Sequence, residues 1–398
     1  MKRIPYSRQT IEKDDISAVE KTLKQDFLTN GPVTLEFERK IARKFGARFC
    51  VLCSSATAAL TLSYRVIGIK NGSKVLIPSV TFCSTSNAAE LLGAKVEHID
   101  CNSKNGLLDF SYLEKILKKK KFDYIVPVHL GGQTVNMKKI KKYSQEFNLK
   151  VIEDASHAMG TSHIIKNERF VGDCKNSEMC IFSFHPVKNI TMGEGGAITT
   201  NNEEHYYNLL KYRNHGIERN ENNFLFKNNS VTHNLKNLWY YEVQNIGFNF
   251  RISEINCALG LSQFKKLKSF KKKKLKIRDY YLKKLKDLDF MNVVEQQDTN
   301  ELPCWHLLQI LIDFRSKSFS KADLMHYLKK NRIETQVHYI PLHLQPYYKK
   351  KYGLKKLPNS EKFYEDVLSI PFFSSLQINE IDYVIDKLKS FKNNVVGL

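Results

Sequence analysis

Between residues 31 and 255 the chain alternates short, almost wholly apolar runs with amphipathic segments. The runs are Phe49–Cys53, Lys74–Ile77, Lys95–Asp100, Tyr124–Leu130, Lys150–Asp154, Met179–Phe184 and Ala197–Thr200. Strands with no polar alternation are strands buried on both faces. The stretches between them, such as Ser111–Lys121 with Tyr112, Leu113, Ile116 and Leu117 on one side, have helical spacing. This rhythm predicts an α/β fold with a mostly parallel central sheet and helices on both faces.

After about residue 256 the rhythm changes. A long basic helix carries an apolar stripe of Phe264, Leu267, Phe270, Ile277, Tyr281, Leu285 and Leu288. A strand at His306–Asp313 and helices at Lys321–Lys330 and Glu361–Leu368 are expected to follow. Three parts are therefore predicted: an N-terminal segment (1–30), a large α/β domain (31–255) and a smaller C-terminal α+β domain (256–398). Residues 217–240, rich in Asn and Lys, read as a long loop, either a lid or variable surface.

The net charge of +22 raises the question of nucleic acid. The lysines are spread along the chain, however, with runs at 118–121 and 271–274, and the second run reads as the solvated face of a packed helix. No nucleic-acid partner is predicted, while an anionic small substrate is compatible with the charge. No apolar run is long enough to span a bilayer, and the N-terminus lacks a secretory signal, so a cytoplasmic protein without membrane association is expected. Cys50 and Cys53 have the gap of a metal pair, but no second pair completes a zinc set. Buried free thiols and no metal are expected.

Ligands of parallel sheets gather at the carboxyl ends of strands. The Cys53–Thr57 turn, Asp154, Ser183 and Lys188 all fall at or just after strand ends. Ser54-Ser55-Ala56-Thr57 opens a helix of small residues, where Ala56 and Thr57 offer backbone N–H groups to a phosphate; an ordinary Ser/Thr cap gives the same sequence. Phe82 can lie flat on an aromatic ring or sit in the core. Asp154 ends a strand in Glu153-Asp154-Ala155-Ser156-His157, suited to hold a protonated ring nitrogen or to cap a helix. His157, three residues on, reads as a contact to a ring hydroxyl or as a turn residue. Ser183 then stands five residues before Lys188, and Lys188 sits before Gly193-Glu194-Gly195-Gly196. A lysine in a glycine-braced turn is a poor solubilising charge and a good amine for an imine with a carbonyl cofactor. Each signal is weak alone; their order is specific.

In that order, and in the Glu153–Ala158 and Gly193–Gly196 motifs, the chain resembles the sugar-nucleotide aminotransferases of the DegT/DnrJ/EryC1/StrS family. The resemblance runs from Ile4-Pro5-Tyr6-Ser7 and Phe27–Pro32 into the C-terminal part. It implies the fold-type I pyridoxal-phosphate architecture, with pyridoxal 5'-phosphate and its pyridoxamine form as cofactor. Lys188 would carry the cofactor, and Asp154 would hold its ring nitrogen. Ala56, Thr57 and Ser183 would bind its phosphate, with Phe82 stacked on the ring and His157 beside it. A homodimer is implied, in which Asn249 of a second subunit completes the phosphate site. Tyr6, Thr29, His215, Arg251 and His338 become candidate substrate contacts.

The segments Ser183–Thr191, Trp239–Glu242, Ala258–Gln263 and Val337–Tyr348 are similar to one branch of the family. That branch implies transfer from L-glutamate to C4 of a UDP-linked 4-keto-6-deoxy-N-acetylhexosamine in pseudaminic acid biosynthesis. Another UDP-, dTDP- or GDP-linked keto sugar is the alternative substrate. A non-catalytic protein on the same fold, acting as a regulator or nucleic-acid binder, is the alternative of another kind. Sugar dehydratases of the family replace the lysine with His, so Lys188 argues against them.

Overall fold

The apolar runs form one seven-stranded sheet in a computed structural model that describes residues 2–165 and 167–396. In chain order the elements are α1 (Lys13–Leu23), α2 (Pro32–Phe45), β1 (Phe49–Cys53), α3 (Ala56–Ile67), β2 (Lys74–Pro78), α4 (Ser84–Leu91) and β3 (Lys95–Ile99). Then come α5 (Phe110–Leu117), β4 (Tyr124–Ile125), α6 (Met137–Glu146), β5 (Lys150–Asp154), β6 (Ser162–Ile165), β7 (Asn167–Phe170), β8 (Met179–Ser183), β9 (Gly196–Thr200), α7 (Glu203–Arg213) and α8 (Glu254–Leu285). The sheet order is β1-β9-β8-β5-β4-β2-β3, and β9 alone runs against the rest.

Strict alternation of side chains along each strand divides the core into two layers. Val51 and Cys53 of β1, Val75 and Ile77 of β2 and Ile181 of β8 pack with α3, α4 and α7. Cys50 and Leu52 of β1 and Phe182 of β8 face α2 and α8 on the other side. Leu76, Ile99, Ile125 and Val151 face α5 and α6. Helices therefore cover both faces, as the sequence predicts.

A separate core lies under a three-stranded antiparallel sheet of Asn292–Val293, Leu308–Leu311 and Val367–Ile370. Ile4 belongs to this core and bridges to Ile333, so the N-terminal segment closes back on the C-terminal part. Along α8, Leu267, Phe270, Ile277, Tyr281 and Leu285 are buried, as the stripe predicts, and Leu288 is buried just beyond the helix end.

Some expectations need correction. The Lys271–Lys274 run is not one solvated face: Lys272 and Lys273 are exposed, but Lys274 is only 5% exposed. Four consecutive helical residues span most of a turn, so one of them must point inward. The strand expected over 124–130 is regular only at Tyr124–Ile125, because Pro127 has no N–H to offer; its carbonyl still accepts from Asp154 N (3.0 Å). The helix expected at Glu361–Leu368 spans Pro358–Asp366, and Val367 and Leu368 belong to a strand.

Residues 217–240 are organised rather than an open loop. Ile217–Glu218 pairs with Glu242–Val243, and Val231–Thr232 pairs with Leu235–Lys236. The buried Glu242 carboxylate gathers this segment, accepting from Leu225 N (2.7 Å), Phe226 N (2.7 Å), Gln244 Nε2 (2.8 Å) and Tyr240 Oη (3.1 Å). All eight cysteines are free thiols, and seven of them are buried. Among the described residues no helix is long and apolar enough to cross a membrane.

Candidate active site

The carboxyl ends of β1, β5 and β8 open into a cavity of about 720 Å³. Such a volume suits a cofactor with a small substrate. Its walls include Ala56, Thr57, Phe82, Asp154, His157, Ser183 and Lys188, brought together from four separate stretches of sequence. Tyr6 and His338 close the opposite side, with Tyr339, Gln336 and His306.

At the end of β1, Ser55 caps α3 by accepting from Ala58 N (3.1 Å). Ala59 N bonds to Ser55 O (2.9 Å), and Ala56 and Thr57, whose N–H groups belong to the unpaired first turn of the helix, line the cavity. This turn lies directly against the start of β9. A side chain at Gly196 would collide with the Ser55 carbonyl and the Ala56 nitrogen, which explains glycine there. Gly193 adopts φ 78°, a left-handed conformation that favours glycine.

Asp154 is 4% exposed. Its Oδ2 accepts from Thr85 Oγ1 (2.8 Å), and its Oδ1 accepts from Ser156 N (3.1 Å) and Ser156 Oγ (2.6 Å). All three donors are neutral, and no cationic group forms a salt bridge with Asp154 among the described residues. A buried carboxylate without a counter-charge is costly. Lys188 lies in the same cavity, half-buried, and its Nζ makes no hydrogen bond or salt bridge among the described residues. Burial pushes this amine down from 10.5 to about 8, against the upward pull of Asp154.

Three imidazoles surround the lysine, and burial pushes all of them down, His338 to about 3 and His157 and His306 well below the ordinary value. The Lys188 charge adds to the effect in each case. His157 is tied at both nitrogens: Nδ1 accepts from Gly131 N (3.4 Å), and Nε2 meets Tyr339 Oη at 3.0 Å. His338 Nδ1 meets Ser369 Oγ at 2.8 Å, and its ring packs on Tyr6 with centroids 5.7 Å apart. Phe82 is 56% exposed and presents its ring to the cavity, 6.0 Å from Tyr339.

These residues fit pyridoxal phosphate. The uncompensated carboxylate matches a protonated ring nitrogen, the free amine matches the cofactor's carbonyl, the helix start matches its phosphate, and the open phenyl face matches its ring. Thr29, His215, Asn249 and Arg251 are not in the cavity. They form a second group nearby: Thr29 bridges to Ser253, Asn249 bridges to Asn214, and Arg251 Nη1 donates to Asn214 Oδ1 (2.6 Å). The Phe250 carbonyl accepts from Ser54 N (3.0 Å), which anchors this group beside the α3 turn. Sequence reasoning did not single out Tyr339, His306, Thr85 or Ser156. The first two come from beyond residue 300; His306 carries no local motif, and Tyr339 lies in the Val337–Tyr348 segment without a role that its sequence alone assigns.

Residues 9–389 match the DegT/DnrJ/EryC1/StrS aminotransferase family. The chain is 35% identical over 394 residues to a UDP-4-amino-4,6-dideoxy-N-acetyl-beta-L-altrosamine transaminase of Campylobacter jejuni, covering 98% of both chains. Among solved structures it resembles Helicobacter pylori PseC, described as an aminotransferase involved in the biosynthesis of pseudoaminic acid. That likeness has a TM-score of 0.88 at 28% identity, covering 98% of this chain and 100% of that one. It also resembles NtdA of Bacillus subtilis with bound cofactor PMP, with a TM-score of 0.80 at 27% identity over 96% of this chain and 82% of that one. With this fold and this cavity, the chain belongs to the DegT/DnrJ/EryC1/StrS aminotransferase family.

Proposed function

We propose that the protein moves the amino group of L-glutamate to C4 of a UDP-linked 4-keto-6-deoxy-N-acetylhexosamine, UDP-2-acetamido-2,6-dideoxy-beta-L-arabino-hex-4-ulose. The products are UDP-4-amino-4,6-dideoxy-N-acetyl-beta-L-altrosamine and 2-oxoglutarate, a step in pseudaminic acid biosynthesis. One observation carries the chemistry: an unpaired amine, Lys188, and a carboxylate without a counter-cation, Asp154, face one cavity. The sugar is carried by the 35% identity to the Campylobacter transaminase.

Pyridoxal phosphate, when bound, supplies the electron sink for a carbanion. Lys188 Nζ holds it between turnovers. Lys188 Nζ would take the proton from the donor's Cα in the first half-reaction and would deliver one to C4 of the sugar in the second. A base must be partly neutral to do this, and an amine at about 8 is far closer to neutral at physiological pH than an ordinary lysine. Asp154 keeps the ring nitrogen protonated, and Thr85 and Ser156 fix its two oxygens. The Ala56 and Thr57 N–H groups and Ser183 Oγ take the phosphate. His157 lies beside the ring, while Phe82 covers its face and excludes water there.

Thr29, His215, Asn249 and Arg251 would act on the cavity of a second copy, with Asn249 completing the phosphate site and Arg251 pairing with a diphosphate or carboxylate. The surface near this group supports that reading. Leu225, Phe226, Leu238, Trp239, Val243 and Ile246 are exposed on the adjoining segment, Leu238 to 92%. Exposed apolar area on that scale marks a surface that is covered in an assembly.

The decisive experiment measures amination of a panel of UDP-, dTDP- and GDP-linked 4-keto sugars by the wild type and by Lys188→Ala. Turnover is expected with the UDP-N-acetyl sugar and none with the variant. Wild-type turnover by Lys188→Ala sinks the mechanism, and preference for another nucleotide sugar sinks the substrate.

A further inference from the structure

We propose that Lys274 is a positioning residue for this aminotransferase reaction, holding the Lys188 turn in place through Asn189. The inference rests on the reading that Lys188 carries the cofactor. Lys274 lies mid-way along α8, where its neighbours Lys272 and Lys273 point to solvent, yet it is 5% exposed. No carboxylate forms a salt bridge with it among the described residues. Its Nζ hydrogen-bonds to Asn189 Oδ1, the side chain next to Lys188 in sequence.

The other end of the Asn189 amide is also fully used. Nδ2 donates to Met159 O (2.9 Å) and to Cys304 O (3.0 Å). One side chain thus joins the lysine turn to α8, to the turn after β5 and to the segment before the Leu308–Leu311 strand. Beneath it a void of about 20 Å³ is lined by Lys188, Lys274, Arg8 and His306, among others, and has room for little more than one water. The Asn189 side chain is therefore fixed on three sides directly after Lys188, and the space beside the lysine is not filled by protein atoms.

A buried ammonium with no carboxylate partner, held by the Asn189 amide and lying 6.0 Å from the centre of the Phe372 ring, is expensive to keep. It does here what an apolar residue cannot: it gives Asn189 Oδ1 a charged donor, the stronger kind of hydrogen bond. The groups facing Lys188 are Asp154, His157, His185, His306 and His338, with Glu194 on the cavity wall. Those facing Lys274 are Cys304 and His306, with Arg8 across the void. None of them substitutes for the contact to Asn189.

The test uses the protein loaded with pyridoxal phosphate and the variants Lys274→Met, Asn189→Leu, the double variant and the exposed control Lys273→Met. Two quantities are read: the pH midpoint of the yellow absorbance of the lysine-bound cofactor, and the single-turnover rate with glutamate. Each single variant is expected to shift the midpoint and slow the half-reaction by about tenfold or more, as a small misplacement of a reacting group does. The double variant should be no worse than Asn189→Leu, because that change already removes the Lys274 contact along with those to Met159 and Cys304, and the control should match wild type.

A wild-type midpoint and rate in Lys274→Met, or effects that multiply in the double variant, overturn the proposal. If Lys274→Met does not fold, Asn189→Leu decides alone, and wild-type behaviour there overturns it. A wild-type protein that shows no yellow band with the cofactor refutes the underlying reading instead.

Discussion

Lys188 and Asp154 share the cavity as two ionisable groups that feel each other's charge but form no salt bridge among the described residues, and each implies a measurable consequence. The folded-state pKa of Lys188, about 8, is depressed from 10.5. Its contribution to stability is therefore fully present above about 10.5 and is lost as pH falls through about 8. Below that, the cofactor-free protein carries a destabilising buried ammonium. Lys188→Met should raise the denaturation midpoint of the cofactor-free protein at neutral pH, a gain on the order of 1–3 kcal/mol, and the gain should vanish above about pH 10.5. Denaturant titration at a series of pH values checks it. For Asp154→Asn the expected outcome is a loss on the order of a hundredfold in the glutamate half-reaction, with the secondary structure unchanged by circular dichroism. At this scale the sequence is partly readable. Asp154, Ser183 and Lys188 follow strands whose ends are visible as the last apolar residue. His306 reaches the cavity from the segment before Leu308–Leu311, and nothing local to it announces that; Tyr339 lies beside His338 in the Val337–Tyr348 segment, but no spacing assigns it a role.

Elements carry the next set of consequences. The first turn of α3 and the first residue of β9 touch through Gly196, so Gly196→Ala should push the α3 turn away. A destabilisation of about 1–3 kcal/mol and weaker cofactor retention on dialysis are expected. Within 217–243, Glu242 sits at about 2, down from 4.5: burial opposes its charge, but Gln244 and the Leu225 and Phe226 N–H groups outweigh it. A depressed carboxylate stabilises above its unfolded value, so this segment should loosen as pH falls from about 4.5 towards about 2. Brief digestion with an acid-active protease should show cleavage in this segment rising over that interval, and Glu242→Gln should show it already at about pH 4.5. The strands of the main sheet were legible because burial on both faces leaves continuous apolar runs. The β6–β7 hairpin was not, since its residues are mixed and its order comes partly from pairing with Glu301–Leu302. The 217–243 segment was illegible for a related reason: one carboxylate organises it through bonds spaced up to seventeen residues apart.

At the level of the whole molecule, the proposed dimer makes its own prediction. Lys188→Ala and Asn249→Ala chains should each be impaired alone, the first completely. If sites are shared between subunits, mixing and re-annealing the two should restore roughly a quarter of wild-type activity, since about half the dimers are mixed and each has one intact site. Sedimentation equilibrium of a Leu238→Lys, Trp239→Glu variant should show dissociation to monomers if the exposed apolar segment is the covering surface. Neither the apolar patch nor the grouping of Thr29, His215, Asn249 and Arg251 is evident from spacing, because these residues meet only when 27–29, 214–215 and 248–253 lie side by side.

The Gly131–His157–Tyr339 arrangement has a directional consequence. His157 Nδ1 receives a backbone proton, so the ring's own proton lies on Nε2 and points at Tyr339 Oη. The phenol's hydrogen is then turned outward, towards the cavity that Tyr339 lines. Burial holds that phenol firmly in its protonated form. At this point the wall offers a hydrogen, which suits an oxyanion or lone pair opposite it, while Asp154 and Glu194 line the same cavity elsewhere.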